Sequence, residues 1–247
     1  MRITVIIPTY NEAENLPKLV PALFSLNLDL RLLIVDDDSP DGTGEIADFL
    51  AAEYPDKIEV LHRAGKLGLR TAYLTGITFA LATDTEAIAQ MDADFSHEPS
   101  MLVEMAEMLE NRDVVLGSRY VPGGRVDANW PYWRKSLSAF GNFYARTILG
   151  FDLCDVTTGY RLWRRETLEG MPLTRIQSSG YVFLVEMAYM AYSLGYRFGE
   201  VPIYFADRQW GKSKMSIKIQ LEAALRIWQV RWAYRDLRAR GRSARME

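Results

Sequence analysis

At 247 residues, 49% hydrophobic and 25% charged, the chain can bury a sizeable core and has the make-up of an ordinary soluble globular protein. Its single cysteine, Cys154, excludes an internal disulfide and a cysteine-based zinc site, and fits a reducing, cytosolic setting. The formal net charge is −3, yet from Arg208 onward eleven Lys or Arg face three acidic residues, so a tail of about +8 follows a body of about −11. Such a tail suits an anionic partner, a membrane surface, a lipid phosphate or a nucleic acid, or serves only as a solubilising terminal helix.

The opening MRITVIIPTYNE has one basic residue and too short an apolar stretch for a signal peptide, and nothing reaches the ~18 uninterrupted apolar residues of a membrane span. The protein is therefore expected to be neither secreted nor integral. The β-branched run 3–7 predicts a strand ended by Pro8, and Leu16, Leu19, Val20 and Leu23 then recur at helical spacing. A second strand is predicted over 32–35, running into Asp36, Asp37 and Asp38, with turn chemistry in DSPDGTG before a helix over 46–52. Strand 58–61, a helix over 74–82 and a buried strand over 86–91 follow. This alternation predicts a mainly parallel sheet covered on both faces, with ligands beyond the strands' carboxyl ends, where Pro8, Asp37 and Asp92 lie.

At the end of that fourth strand, MDADFSHEP sets Asp92 and Asp94 two residues apart. Two carboxylates so placed can grip one divalent cation and bridge it to substrate phosphates. Acidic pairs also cap strands and helices, and the pair alone does not separate these uses. A strand over 114–116 leads into the loop GSRYVPGG with Arg119. The second half is less regular: an aromatic, basic stretch NWPYWRKSLS, a helix around 140–149, a loop DVTTGYRLWRR, a helix near 183–194 and a strand in VPIYF. From Ser216, the residues Ile217, Leu221, Leu225, Trp228 and Trp232 recur three or four apart with Arg and Lys between them, predicting a basic amphipathic helix. His62 and His97 form no metal-spaced pair and read as ordinary polar residues, and HRAGKLG lacks the order of a P-loop.

Taken together, IIPTYNEAENL, VDDDSPDGT, MDADFSHEP and GSRYVPGG resemble the inverting GT-A glycosyltransferases of family 2. The segments DVTTGYRLWRRETLE, GYVFLVEMAYMAYSLGYRFGEVPI and DRQWGKSKMS narrow the resemblance to the dolichyl-phosphate (polyprenol-phosphate) mannosyltransferases, over residues 3 to about 216. The resemblance implies an α/β, Rossmann-like GT-A catalytic domain over 1–216 and a basic amphipathic C-terminal helix over 217–247. It implies transfer of mannose from GDP-mannose to a polyprenyl or dolichyl phosphate with inversion, with UDP-glucose or another nucleotide sugar as the alternative donor. It further implies Mg²⁺ or Mn²⁺ as cofactor.

By the same resemblance the nucleotide sugar is met by Pro8, Tyr10, Glu12, Val35, Asp37, Asp92, Ala93, Asp94, Arg119, Arg208 and Lys214. Tyr10 would offer a stacking face; Glu12 either meets the base edge or caps a helix, and Asp41 and Thr43 are equally turn and cap residues. Asp92 and Asp94 are the implied metal residues, with Ser96 a weaker ligand that binds through water or not at all. Arg119, Arg134 and Arg208 would hold the lipid phosphate, since guanidinium forks suit phosphate oxygens, and Asp92, Asp94, Arg119 and Arg134 form the implied catalytic set. Arg161 and Glu186 match polar family positions and are equally explained as structural contacts, whereas Arg70 departs from a position usually small. The implied partners are GDP-mannose, the lipid phosphate and the cytoplasmic face of a membrane, met peripherally, with room for a membrane-anchoring subunit and no nucleic acid. One rival is a phosphohydrolase with Asp92 as nucleophile and Asp94 as acid, disfavoured because such a pair usually follows the first strand. The other is a non-catalytic lipid- or nucleotide-binding subunit, disfavoured because the acidic and arginine set is intact.

Overall fold

The computed structural model describes residues 1–206 and 217–237. Three strand–helix units open the chain: β1 (Arg2–Thr9), α1 (Leu16–Phe24), β2 (Asp29–Asp36), α2 (Thr43–Glu53), β3 (Ile58–His62) and α3 (Leu69–Leu81). Next come β4 (Ala87–Gln90), α4 (Met101–Leu109), β5 (Val114–Ser118), β6 (Arg125–Val126) and α5 (Tyr132–Leu149). The chain continues through β7 (Arg161–Arg164), α6 (Arg165–Glu169), α7 (Gly180–Leu194), β8 (Phe198–Pro202), β9 (Tyr204–Phe205) and α8 (Ile217–Ala233).

Seven strands form one sheet in the order β3-β2-β1-β4-β7-β5-β8, parallel except for β7, which runs against both neighbours. Strand alternation sends Ile3, Val5 and Ile7 to one face with Leu16, Leu19 and Leu23 of α1, and Ile6 to the other with Tyr73 and Ile77 of α3. Each such buried side chain contributes about 1.5–3 kcal/mol. A Cβ on Gly76 would lie 2.7 Å from the Ile6 side chain, so a glycine is what lets α3 lie this close to β1. Successive strands build outward from β1 through β2 to β3, and the chain then crosses to β4 on β1's other side. Ligands of open α/β sheets bind where strand order reverses in this way, because the loops diverge there and leave a crevice.

Several elements differ from their predicted bounds. Pro8 lies inside β1, beyond the point where β4 stops pairing at Ile6–Gln90, so its missing N–H falls where β1 has only β2 as a neighbour. Helix α5 begins at Tyr132 with Pro131 as its cap, taking in the aromatic, basic stretch. RLWR, predicted as loop, is β7, and VPIYF is divided: Pro202 ends β8, while Tyr204–Phe205 turns away to pair with β6 in a separate two-stranded sheet. In α8, Leu225, Trp228 and Trp232 are exposed; Ile227 and Val230, with Tyr234 and Leu237 just past the helix, pack into the core with residues of α5 and α7. No helix among the described residues is long and apolar enough to cross a membrane.

Candidate active site

Backbone strain gathers at the sheet's carboxyl edge. Of the four non-glycine residues with positive φ among the described residues, Asn11, Asp38 and Phe95 sit just past β1, β2 and β4. Such conformations are costly and persist where the surroundings impose them, commonly at functional sites.

Past β1, Tyr10 is half-buried, and the ammonium of Lys66 lies 3.5 Å from its ring centroid, so one stacking face already carries a cation. Glu12 accepts a hydrogen bond from the Asn15 amide, and Asp41 accepts from the backbone of Ala13 and from both N–H and hydroxyl of Thr43. Asp41 and Thr43 therefore tie the PTYNE loop to the turn before α2, the turn-and-cap alternative open in the sequence. Val35 pairs with Pro8 across β1–β2. Asp37 is more committed than a ribose contact requires. Buried, it accepts from the backbone N–H groups of Leu67 and Gly68 and pairs with Arg63 at 2.9 Å, which fastens the 63–68 loop beside Tyr10.

Past β4, Asp92 is partly exposed, while Ala93, Asp94 and Ser96 are buried. Asp94 accepts from the Ser96 N–H at 3.1 Å, curling the loop back on itself. The buried Ser96 hydroxyl has no hydrogen-bond partner among the described residues. Tyr73, buried in α3, lies with its hydroxyl 3.5 Å from the Asp92 carboxylate, and burial together with that charge holds it as a neutral phenol. His97 is buried behind the loop. Its Nδ1 accepts the Asp92 backbone N–H at 3.1 Å, its ring stacks on Tyr160 with centroids 4.9 Å apart, and Phe205 meets it edge-on at 5.7 Å.

Phe205 joins this loop to the arginines. The Arg119 guanidinium lies 5.2 Å from its centroid, and Trp130, edge-on to the same ring at 5.7 Å, carries Arg134 over its own face at 3.7 Å. Asp92, Arg119 and Arg134 are thereby linked, although they come from three separate segments. Arg119 is not an open fork: Nε and Nη2 donate to Asp155 at 2.7 and 2.9 Å, Nη2 also to Thr157, so among the described residues Nη1 is the edge that remains. Burial disfavours both charges of this pair, but their mutual attraction wins, holding Arg119 above and Asp155 below their ordinary pKa values. Arg208 and Lys214 lie outside the described residues.

The family model for glycosyl transferase family 2 matches residues 4–171, most of the sheet and the whole acidic loop. The chain belongs to glycosyl transferase family 2. This family 2 protein is 45% identical over 242 residues to the undecaprenyl-phosphate mannosyltransferase of Micrococcus luteus, covering 97% of this chain and 99% of that one. It is 44% identical to the polyprenol monophosphomannose synthase of Mycolicibacterium smegmatis, covering 97% and 91%. Its fold is that of GT-A glycosyltransferases. Glucosyl-3-phosphoglycerate synthase from Mycobacterium tuberculosis, solved with Mn²⁺, UDP and glucosyl-3-phosphoglycerate, superposes with a TM-score of 0.60 at 15% identity, covering 93% of this chain and 78% of that one.

The site is built partly by residues that no motif announced. Lys66 lies over Tyr10 and Arg63 pairs with Asp37, Asp155 holds Arg119, and His97, read as an ordinary polar residue, supports the acidic loop. Arg161 and Glu186 resolve toward structural contacts. Arg161 is fully buried, donates to the carbonyls of Val156, Thr158 and Leu184, and is brought by burial to about 9, against the opposing charge of Asp155. Glu186 accepts from the N–H groups of Gln177 and Ser178 and from the Tyr234 hydroxyl, bracing α8.

Proposed function

We propose that this glycosyltransferase moves mannose from GDP-mannose to a polyprenyl phosphate with inversion. The observation that carries the reading is the link, through His97 and Phe205, between a carboxylate pair at the sheet's switch point and two arginines. The relatives' acceptors, undecaprenyl and polyprenol phosphates, support the lipid side. UDP-glucose is the donor to test against GDP-mannose.

Residues of the acidic loop fit a hard divalent cation. Asp92, Asp94 and the unpartnered Ser96 hydroxyl are oxygen donors within five residues, and no three His, Cys, Asp or Glu side chains converge among the described residues, so phosphate and water would complete the shell. Bound Mg²⁺ or Mn²⁺ would offset charge on the departing diphosphate. Tyr10, Glu12 and the strand ends at Pro8 and Val35 would flank the nucleoside, while Asp37 orders the 63–68 loop over it. An oxygen of the lipid phosphate attacks the anomeric carbon opposite the nucleotide; that C–O bond forms as the bond to the diphosphate breaks, and GDP leaves with the electron pair. The acceptor is already an anion, so the protein supplies no base. Arg119 through Nη1, Arg134, and Arg208 with Lys214 would meet the two phosphate groups. The acceptor's lipid chain supports a reaction at a membrane surface, which in this reading is the cytoplasmic face, with α8 against the bilayer.

Labelled GDP-mannose and UDP-glucose, each incubated with undecaprenyl phosphate and Mg²⁺ or Mn²⁺, test the reading. Label should pass to the lipid fraction from GDP-mannose as the β-anomer, and Asp94→Asn should lower kcat/KM by on the order of 10³ while the thermal midpoint stays close to wild type. Transfer from UDP-glucose alone, or from neither donor, overturns it.

A further inference from the structure

Helix α5 carries an apolar face that stands exposed among the described residues. Tyr132 is 88% exposed, Trp133 68%, and Phe140 and Phe143 62% each. Only Asn142, Ala145 and Leu149 of its 18 residues are buried. Trp133, Phe140 and Phe143 follow one another at whole-turn spacing along one stripe. The stripe continues onto α8. Phe140 meets Tyr144 at 6.3 Å, Trp228 donates from its indole nitrogen to the Tyr144 hydroxyl at 3.0 Å, and that hydroxyl donates to the Ala224 carbonyl. Exposed Leu225, Trp228 and Trp232 complete a two-helix surface. Arg134, Lys135 and Arg146 are the charged residues of α5, all basic, and α8 adds three basic residues against one acidic.

We infer that α5, jointly with the exposed side of α8, is the surface by which this enzyme inserts into an anionic bilayer, with Trp133, Phe140 and Phe143 as the penetrating residues. Trp, Tyr and Phe interleaved with Arg and Lys match the headgroup–acyl boundary, where ring bodies are apolar and charges meet lipid phosphate. A water-facing helix has no use for such a stripe, and for a second protein copy the charges of α5, all basic, would offer no acidic partner across a two-fold axis. The face is also joined to the site. Arg134 stands on α5's first turn, and Asn142, on its inner side, receives the Val156 N–H and donates to the Cys154 carbonyl, gripping the loop whose Asp155 holds Arg119. Seating α5 in the interface would bring the acceptor's phosphate to these arginines while its hydrocarbon stays in the membrane. This rests on the lipid-acceptor reading and adds the element that enters the bilayer, which the basic tail alone does not supply.

The full chain carrying Trp133→Ser, Phe140→Ser and Phe143→Ser tests it by co-sedimentation with phosphatidylcholine vesicles with and without phosphatidylglycerol. Binding to the anionic vesicles should fall by roughly tenfold or more, and the part of wild-type binding that survives high salt should vanish. GDP affinity and transfer to a water-soluble short-chain prenyl phosphate should be unchanged, since these residues touch neither. In the wild type, brominated lipids should quench tryptophan fluorescence, a readout independent of the variant's folding. Wild-type vesicle binding in the triple variant, or absence of quenching, overturns the inference, as does a dimer that the variant dissociates without change in vesicle binding. Failure of the wild type in the short-chain assay would instead sink the mannosyl-transfer reading, leaving the vesicle result to decide the surface.

Discussion

Asp155 shows what single residues add beyond motifs. GSRY marked Arg119 for phosphate, but nothing in the spacing announced a carboxylate 36 residues later that takes two of its nitrogens and its backbone N–H. Ion pairs between distant segments have no sequence period, and for the same reason Arg63 with Asp37 and Lys66 on Tyr10 stayed invisible. Asp92 and Asp94 were legible because both lie on one short loop after a predictable strand. Removing one partner of a buried pair strands the other charge, so Asp155→Asn should cost about 3–5 kcal/mol, towards the lower end because the amide oxygen still accepts. The carboxyl is held below 3.8 in the folded protein, so its contribution is full above pH 3.8 and is lost as pH falls through the lower folded value. Urea midpoints of wild type and variant should therefore differ at pH 7 and converge below pH 3.8. A constant difference across that window would show that the pairing charge is not what stabilises.

Elements with one dominant period were read from sequence, and those with two competing readings were not. The buried residues of α1, Leu16, Leu19, Val20 and Leu23, are the ones its spacing picked out. Strand β7 is four residues long with an arginine at each end, too short and too charged to show alternation, although Trp163 donates to Gln90 and Arg161 is capped by carbonyls once the sheet closes. Helix α8 carries two apolar stripes, and periodicity cannot say which faces the core. The stripe that the sequence showed, through Leu225, Trp228 and Trp232, was read as an amphipathic face for a membrane and is exposed; the one packed on α5 and α7 runs through Ile227 and Val230 and on past the helix end to Tyr234 and Leu237. Ile227→Ala and Leu237→Ala should each destabilise by about 2–5 kcal/mol, whereas Leu225→Ala should stay within about 0.5 kcal/mol of wild type. Chemical denaturation of the three variants checks the assignment, and equal costs at all three positions would contradict it. We further propose that α8 is part of the catalytic domain's core, so removal of 217–247 should unfold the protein.

At the scale of the whole molecule, the sheet order turns a list of motifs into a place. Pro8, Val35 and Asp92 fall at the ends of adjacent strands because the chain reverses its winding between β1 and β4, and the arginines arrive from the far side through Phe205 at the end of β9. Alternating strands and helices made the first part of that arrangement legible; the second depends on β9 leaving the main sheet, which no pattern in VPIYF announces. Charge is divided along the chain as well, about −11 on the body and about +8 from Arg208 on, so an anionic surface attracts one end and repels the other. Residues 238–247 hold four arginines and one glutamate. A basic residue near an anionic bilayer is worth about 1 kcal/mol, so deleting 238–247, a net loss of about three charges, should weaken binding to phosphatidylglycerol-containing vesicles by roughly 100-fold at low salt. Salt screens this term over about one Debye length, whereas apolar insertion by α5 persists, so the deleted and full-length proteins should bind alike at about 1 M salt and on purely phosphatidylcholine vesicles. Co-sedimentation across a salt series reads both terms in one experiment. A deletion whose effect persists undiminished at high salt would show that the segment acts through packing rather than charge.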